Sequence, residues 1–112
     1  NNLKNIKKLI KLSEFSYKNP NQVRALLNVF ARNNAINFHH KSGSGYKFIS
    51  DQIIILDSIN PSSASNLSST FSNWKKLDIN RQKLIKQNLE RIINKKELST
   101  NTYEIISNIF KS

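Results

Sequence analysis

The residues best suited to chemistry in this sequence are two adjacent histidines, His39 and His40. Imidazole nitrogens ligate metals and exchange protons near neutral pH, but neighbouring residues on a helix cannot turn both rings toward one ion. The sequence has no HExxH motif and no carboxylate cluster beside them. We therefore expect hydrogen-bonding roles for the two rings, and we assign no catalytic residue and no metal ligand to this chain.

Serine and glycine patterns that support other chemistries are also incomplete. The serine-rich residues 62–72 contain no GxSxG turn, which nucleophilic hydrolases use to expose their serine. Residues 41–45 resemble a phosphate-binding loop, but the spacing of the glycines and the position of the lysine do not fit one. This stretch predicts a flexible loop ahead of a helix.

Three further residues stand out on the helices that must carry them. Arg24 follows Val23 at the edge of an apolar helix face, where packing would hold a cation in place. It is either an ordinary packed surface arginine or a binding residue. Phe71 and Trp74 continue the apolar face of another helix, which favours core packing over a platform for stacking nucleobases.

The composition restricts the class of protein. The chain has 112 residues, 38% of them hydrophobic, so it can bury the core of one domain. The absence of cysteine excludes disulfides, a thiol nucleophile and cysteine-based metal sites. No apolar run approaches the ~20 residues of a membrane span, and no secretory leader is evident. We therefore expect a cytoplasmic location and no membrane partner.

The net charge of +11, from 18 Lys and Arg against 7 Asp and Glu, raises the question of nucleic-acid binding. Only Arg24, Arg32, Arg81 and Arg91 are arginines, the residue that bidentate phosphate and base contacts prefer. The lysines are spread along the chain singly or in pairs, and the abundance of Asn, Ile and Lys fits AT-rich coding. A nucleic-acid partner is therefore disfavoured.

Hydrophobic residues recur at helical spacing along nearly the whole chain, which predicts an all-α fold of about six helices. Helix starts are marked by Asn19–Pro20, Asn60–Pro61, Asp78 and Ser99. The third helix, over residues 46–58, is apolar on more than one side and should be the most buried. The predicted apolar faces are Leu3, Ile6, Leu9 and Ile10; Val23, Leu26, Leu27 and Phe30; Tyr46, Phe48, Ile49, Ile53, Ile54, Ile55 and Leu56; Ala64, Leu67, Phe71 and Trp74; Ile85, Leu89, Ile92 and Ile93; and Tyr103, Ile106, Ile109 and Phe110.

One regularity suggests how the helices are arranged. The residues Asn19, Pro20, Val23, Leu26 and Phe30 recur 41 residues later as Asn60, Pro61, Ala64, Leu67 and Phe71. A shift near 40 residues is the period of HEAT and armadillo units, each of which contributes a helix pair to a stack. The pattern predicts helices stacked as antiparallel pairs in a superhelical fragment, and not a closed bundle.

Several ordered stretches together resemble a known family. They are residues 19–24 (NPNQVR), 38–46 with His39 and the Gly43–Ser44–Gly45 step, 59–61, 77–82 and 98–104. In this order and spacing they resemble the extreme C-terminus of aminopeptidase N, a zinc metallo-aminopeptidase of bacterial and apicomplexan type, over about residues 13–111. The resemblance implies that residues 1–112 are part of the C-terminal α-helical domain of a larger enzyme.

The resemblance also implies a function and partners. In that family a catalytic domain binds zinc and removes N-terminal amino acids from peptides, while the helical domain caps the active site and lines the substrate channel. The zinc ligands and catalytic glutamate are absent from this sequence. The implied partners are the catalytic domain of the same polypeptide and the peptide substrate, and zinc is implied only for the parent enzyme.

The resemblance carries one site residue over to this sequence. Arg24 matches the arginine that, in relatives, faces the central cavity and meets a peptide's carbonyls or carboxylate. A second basic residue of bacterial relatives falls at Asn66 here, so a paired-arginine clamp is not expected. Two alternatives stay open beside the peptidase reading: a basic helical module that binds nucleic acid, and a solenoid that binds another protein.

Overall fold

The computed structural model describes residues 2–11 and 15–111. Residues 1, 12–14 and 112, which the predicted domain includes, lie outside the described residues. The described part is helical without strands, which confirms the all-α prediction. The helices are α1 (Asn2–Ile10), α2 (Pro20–Val23), α3 (Val29–Asn33), α4 (Ala35–Phe38), α5 (Ser44–Asp57), α6 (Pro61–Ser68), α7 (Ile79–Ile93) and α8 (Thr100–Lys111), with a π-helical segment at Arg24–Asn28 and 3₁₀ turns at Ser69–Phe71 and Trp74–Lys76.

The predicted helix starts are confirmed by their caps. The side chain of Asn19 accepts hydrogen bonds from the backbone of residues 21 and 22, and that of Asn60 accepts one from residue 63. Asp78 and Ser99 accept from the backbone N–H three residues ahead, at 3.1 and 3.2 Å. Each cap satisfies donors that the first turn of a helix leaves unpaired.

Helix α5 begins two residues earlier than predicted, at Ser44, because two glycines allow it. Gly43 has φ +83°, the left-handed region, and its carbonyl accepts the backbone N–H of Lys47 at 2.9 Å. Gly45 lies directly against the backbone of α4. The side chains of Tyr46 and Ile49 are fully buried, which confirms α5 as the central element.

The helices stack as antiparallel pairs, as the 41-residue shift predicts. Helix α5 packs on its partner α6 and α7 on its partner α8, while α5 also contacts α7 and α6 contacts α8. The Cα trace measures 38 × 33 × 19 Å, and 19 Å is the thickness of two helix layers. The arrangement is therefore a two-layer stack in which each pair lies on the preceding one.

Long-range side-chain hydrogen bonds follow the same period. The following bonds join residues 35 to 42 positions apart, so they tie each helix pair to its neighbour. The bonded residues are Tyr17 with Gln52, Asn28 with Asn66, Arg32 with Ser69, Ser50 with Asn88, Arg81 with His39, Arg91 with Ser50 and Asp51, Ser99 with Asp57, and Trp74 with Ile109.

Three residues assigned to apolar faces are instead largely exposed. Leu9, Ile55 and Tyr103 expose 42%, 44% and 52% of their surface. On α8, for example, the buried face is centred on Thr102 and Ile106, and Tyr103 lies about 100° around the helix from the first of these. Separately, none of the helices in the described residues combines the length and hydropathy that a bilayer span requires.

Candidate functional site

Arg24 lies in a cleft between two helix N-termini that the 41-residue shift relates. The cleft has a volume of about 200 Å³ and lies where α2 and α6 begin, each with a proline in its first turn. None of the described residues that line it is acidic. Its lining residues are Pro20, Val23, Arg24, Asn28, Asn60, Ser62, Ser63 and Asn66.

The Arg24 side chain is exposed, and its guanidinium is held by a neighbouring side chain. Its guanidinium donates a hydrogen bond to the side-chain oxygen of Asn21, one turn earlier. A guanidinium has five N–H donors, so this bond fixes the group and still leaves donors for a ligand. The positive ends of two helices also point to this region, which favours carbonyl or carboxylate oxygens as ligands.

Asn66 occupies the opposite side of the cleft and pairs with a buried amide. The Asn28 side chain, only 7% exposed, donates from Nδ2 to Oδ1 of Asn66 at 2.9 Å. The structure therefore brings Arg24 and Asn66 to one cleft. The cleft offers one cation and an amide pair.

The π-helical segment explains how Asn28 reaches the cleft. The backbone N–H of Val29 bonds to the carbonyl of Arg24, five residues back, which widens the turn. Leu27 remains fully buried while Asn28 turns toward α6. Sequence reasoning missed Asn28 because nothing in the sequence signals a π turn. Its position four residues after Arg24 could have indicated that both residues lie on the same face of the helix.

The two histidines have separate partners, as predicted. His39 Nδ1 lies 2.6 Å from the hydroxyl of Tyr46, and His40 Nδ1 lies 2.8 Å from the hydroxyl of Ser42. Burial and the nearby Arg81 guanidinium lower the pKa of His39, so the ring is neutral at pH 7. Within residues 2–11 and 15–111, no three His, Cys, Asp or Glu side chains are grouped so that they could hold a metal ion.

Tyr46 and Trp74 serve the core. Burial raises the pKa of Tyr46 to about 12, against a smaller opposing effect of Arg81, so the phenol stays protonated. Trp74 donates its indole N–H to the carbonyl of Ile109 at 2.9 Å, and its side chain is 6% exposed. The predicted core roles of Phe71 and Trp74 are confirmed.

Comparison with known proteins gives consistent matches. A family model described as "Domain of unknown function (DUF3458_C) ARM repeats" matches residues 1–111. Aminopeptidase N of Haemophilus influenzae is 38% identical over 106 residues, that of Escherichia coli 35% over 107 and that of Caulobacter vibrioides 37% over 94. These matches cover 95%, 96% and 84% of this chain.

A solved structure agrees with these matches. The crystal structure of Legionella pneumophila aminopeptidase A in complex with aspartic acid superimposes with a TM-score of 0.89 at 35% identity, over 96% of this chain. The chain spans only 11 to 12% of the length of these relatives. The similarity therefore concerns one small part of a much longer polypeptide.

Proposed function

This chain belongs to the DUF3458_C family of ARM-repeat domains and is homologous to the C-terminal part of aminopeptidase N, and we propose that it serves there as a noncatalytic wall of the peptide channel. The parent enzyme would remove N-terminal amino acids from peptides. The single observation that supports the channel role is the cleft at Arg24, which has a held cation and no acid among its described lining residues.

Arg24 would act on the substrate by positioning it. A peptide entering the cleft presents carbonyl oxygens and, at its end, a carboxylate, and a guanidinium makes charge-assisted hydrogen bonds to both. Such bonds would position the peptide relative to a distant reaction centre and would take no part in bond cleavage. The Asn28–Asn66 pair adds neutral amide N–H donors, which suit peptide carbonyl oxygens.

Zinc, which the resemblance implies for the parent enzyme, would be held outside this chain. The ring nitrogens Nδ1 of His39 and His40 are engaged with hydroxyl groups, and no acidic residue joins them in a ligand set within the described residues. The residues present therefore do not fit a zinc site, and we derive no step of the reaction from this chain.

Replacing Arg24 by alanine in the full-length polypeptide tests the channel role. Losing a charge-assisted hydrogen bond to the peptide should lower kcat/KM by about tenfold for peptides of several residues. Single-residue anilides do not extend into the cleft, so their turnover should stay nearly unchanged. Steady-state kinetics on the two substrate classes measures this difference.

Lys18→Ala is the matched control for Arg24→Ala. Lys18 is exposed, carries the same charge and lies near the same helix start, but it does not line the cleft. Its substitution should leave both substrate classes unaffected. Equal losses on peptides and anilides in Arg24→Ala would contradict the positioning role.

The domain assignment leads to a second proposal, that the stack continues beyond α1. A groove of about 430 Å³ runs between α1 and the helical residues 20–33, and its surface is mainly apolar. Val29 in this groove is 47% exposed. Because the relatives are about eight times longer than this chain, a preceding helix pair of the same polypeptide is the proposed cover.

Val29→Asp tests this cover in the full-length polypeptide. If a preceding helix pair buries Val29, the unpaired carboxylate should lower the free energy of unfolding by about 2 kcal/mol or more. Ile79→Asp is the control, because Ile79 is 65% exposed at the start of α7, where an acid is tolerated. Equal, small shifts of the melting temperature for both variants would argue against a covered groove.

A further inference from the structure

A second cavity lies at the other ends of the same helices. It has a volume of about 360 Å³, within the range of small-molecule sites, and opens between the end of α3, the two 3₁₀ turns and α7. It is separate from the Arg24 cleft and shares no lining residue with it. The residues that line it include Arg32, Phe71, Trp74, Lys76 and Leu77.

The floor of this cavity is aromatic and rigid. Phe71 and Trp74, which are 99% and 94% buried, line it together with the half-buried Leu77. The indole N–H of Trp74 is used by the carbonyl of Ile109. The floor therefore offers aromatic and aliphatic groups, which suit an apolar aromatic body.

The rim of the cavity is positively charged. Arg32 donates from Nη2 to the hydroxyl of Ser69 at 2.9 Å, and Ser69 in turn donates to the carbonyl of Asn66, so the guanidinium is held in place. Lys76 forms no ion pair with any described residue. None of the described residues that line the cavity is acidic. Two cations thus line a small aromatic pocket whose described lining residues carry no compensating charge.

We propose that this cavity binds small aromatic carboxylates that carry no charged amine next to the carboxylate. The carboxylate would bond to Arg32 and Lys76, and the ring would rest on Phe71, Trp74 and Leu77. A free amino acid would bring an ammonium group beside two cations with no acid to receive it. N-acylated aromatic amino acids and the aromatic C-terminal residue of a peptide both satisfy the requirement.

Ligand-observed ¹⁹F NMR on the full-length polypeptide tests this site. The probe is N-acetyl-4-fluorophenylalanine, and its carboxamide and free 4-fluorophenylalanine serve as comparison ligands. We expect the acetylated acid to bind at least about fivefold more tightly than either comparison ligand. An acetylated tripeptide ending in the same residue distinguishes a small-molecule site from a site for peptide ends, because only the latter binds it as well as the probe.

Variants assign the binding to this cavity. Arg32→Ala and Lys76→Ala should each weaken the probe by about fivefold or more, since both residues are exposed and their loss leaves the core intact. Lys75→Ala is the matched control: Lys75 is exposed beside Lys76, contacts the Trp74 ring at 5.5 Å and does not line the cavity. Equal affinity of wild type and both rim variants, or of the acid and its carboxamide, would overturn the proposal. It holds whatever reaction the rest of the polypeptide performs.

Discussion

Gly45→Ala is expected to lower the free energy of unfolding by about 3 kcal/mol, the upper range for overpacking a tight contact. A Cβ at this position would lie 2.3 Å from the carbonyl oxygen of Asn37 and 2.4 Å from that of Phe38. Both are backbone atoms of α4, so no side-chain rotation relieves the overlap. The direction of the change is informative, because replacing glycine by alanine within a helix otherwise raises the free energy of unfolding by up to about 1 kcal/mol.

Urea unfolding of the variant measures this effect, with Ser44→Ala as its control. Ser44 is the neighbouring residue in the first turn of the same helix and is exposed, so its substitution should change stability by no more than about 0.5 kcal/mol. A stabilised or unchanged Gly45→Ala protein would mean that α4 and α5 are farther apart than described. The close approach is what lets Phe38 and Tyr46 meet edge-to-face at a ring distance of 5.2 Å.

The local features of the fold could be predicted because each depends on a few neighbouring residues. Asn19, Asn60, Asp78 and Ser99 cap the helices they were expected to cap, since a side-chain oxygen reaches only the N–H groups of the next turn. The stacking order followed from the repeat of apolar positions at 41 residues. Both the caps and the stacking order depend on residue types and their spacing, and not on the details of side-chain packing.

The features that were missed depend on contacts between repeats. The helix opened by Asn60 ends at Ser68 and continues as 3₁₀ turns, which still bury Phe71 and Trp74 against α8. The π turn that carries Asn28 to Asn66 is likewise set by the neighbouring helix. For the candidate site, the resemblance supplied Arg24 and position 66, but the buried amide between them required the tertiary structure.

Asp57→Asn is expected to have the second large effect, because Asp57 joins the last two repeats. Its carboxylate, only 3% exposed at the end of α5, accepts the backbone N–H of Ser99 at 2.8 Å and the Ser99 hydroxyl at 2.6 Å. Ser99 itself caps α8. An amide in this place turns one acceptor into a donor, so we expect a loss of about 2 to 3 kcal/mol in the free energy of unfolding at neutral pH.

The pH dependence of stability distinguishes the loss of the Asp57 carboxylate from a simple loss of packing. Burial raises the pKa of Asp57, but the hydrogen bonds from Ser99, together with Thr102 and the charge of Lys95, outweigh burial and hold the pKa below its ordinary value of 3.8. The stabilisation is therefore present above pH 3.8 and is lost as the pH falls below it, so the wild type should lose more stability than Asp57→Asn between about pH 5 and pH 3.

Asp51→Asn is the matched control on the same helix, where an exposed carboxylate pairs with Lys47 and Arg91 and its loss should cost about 1 kcal/mol or less. If both variants unfold at the same urea concentration, Asp57 does not hold α8 to α5, and the last helix pair must be fixed to the stack by its apolar face alone.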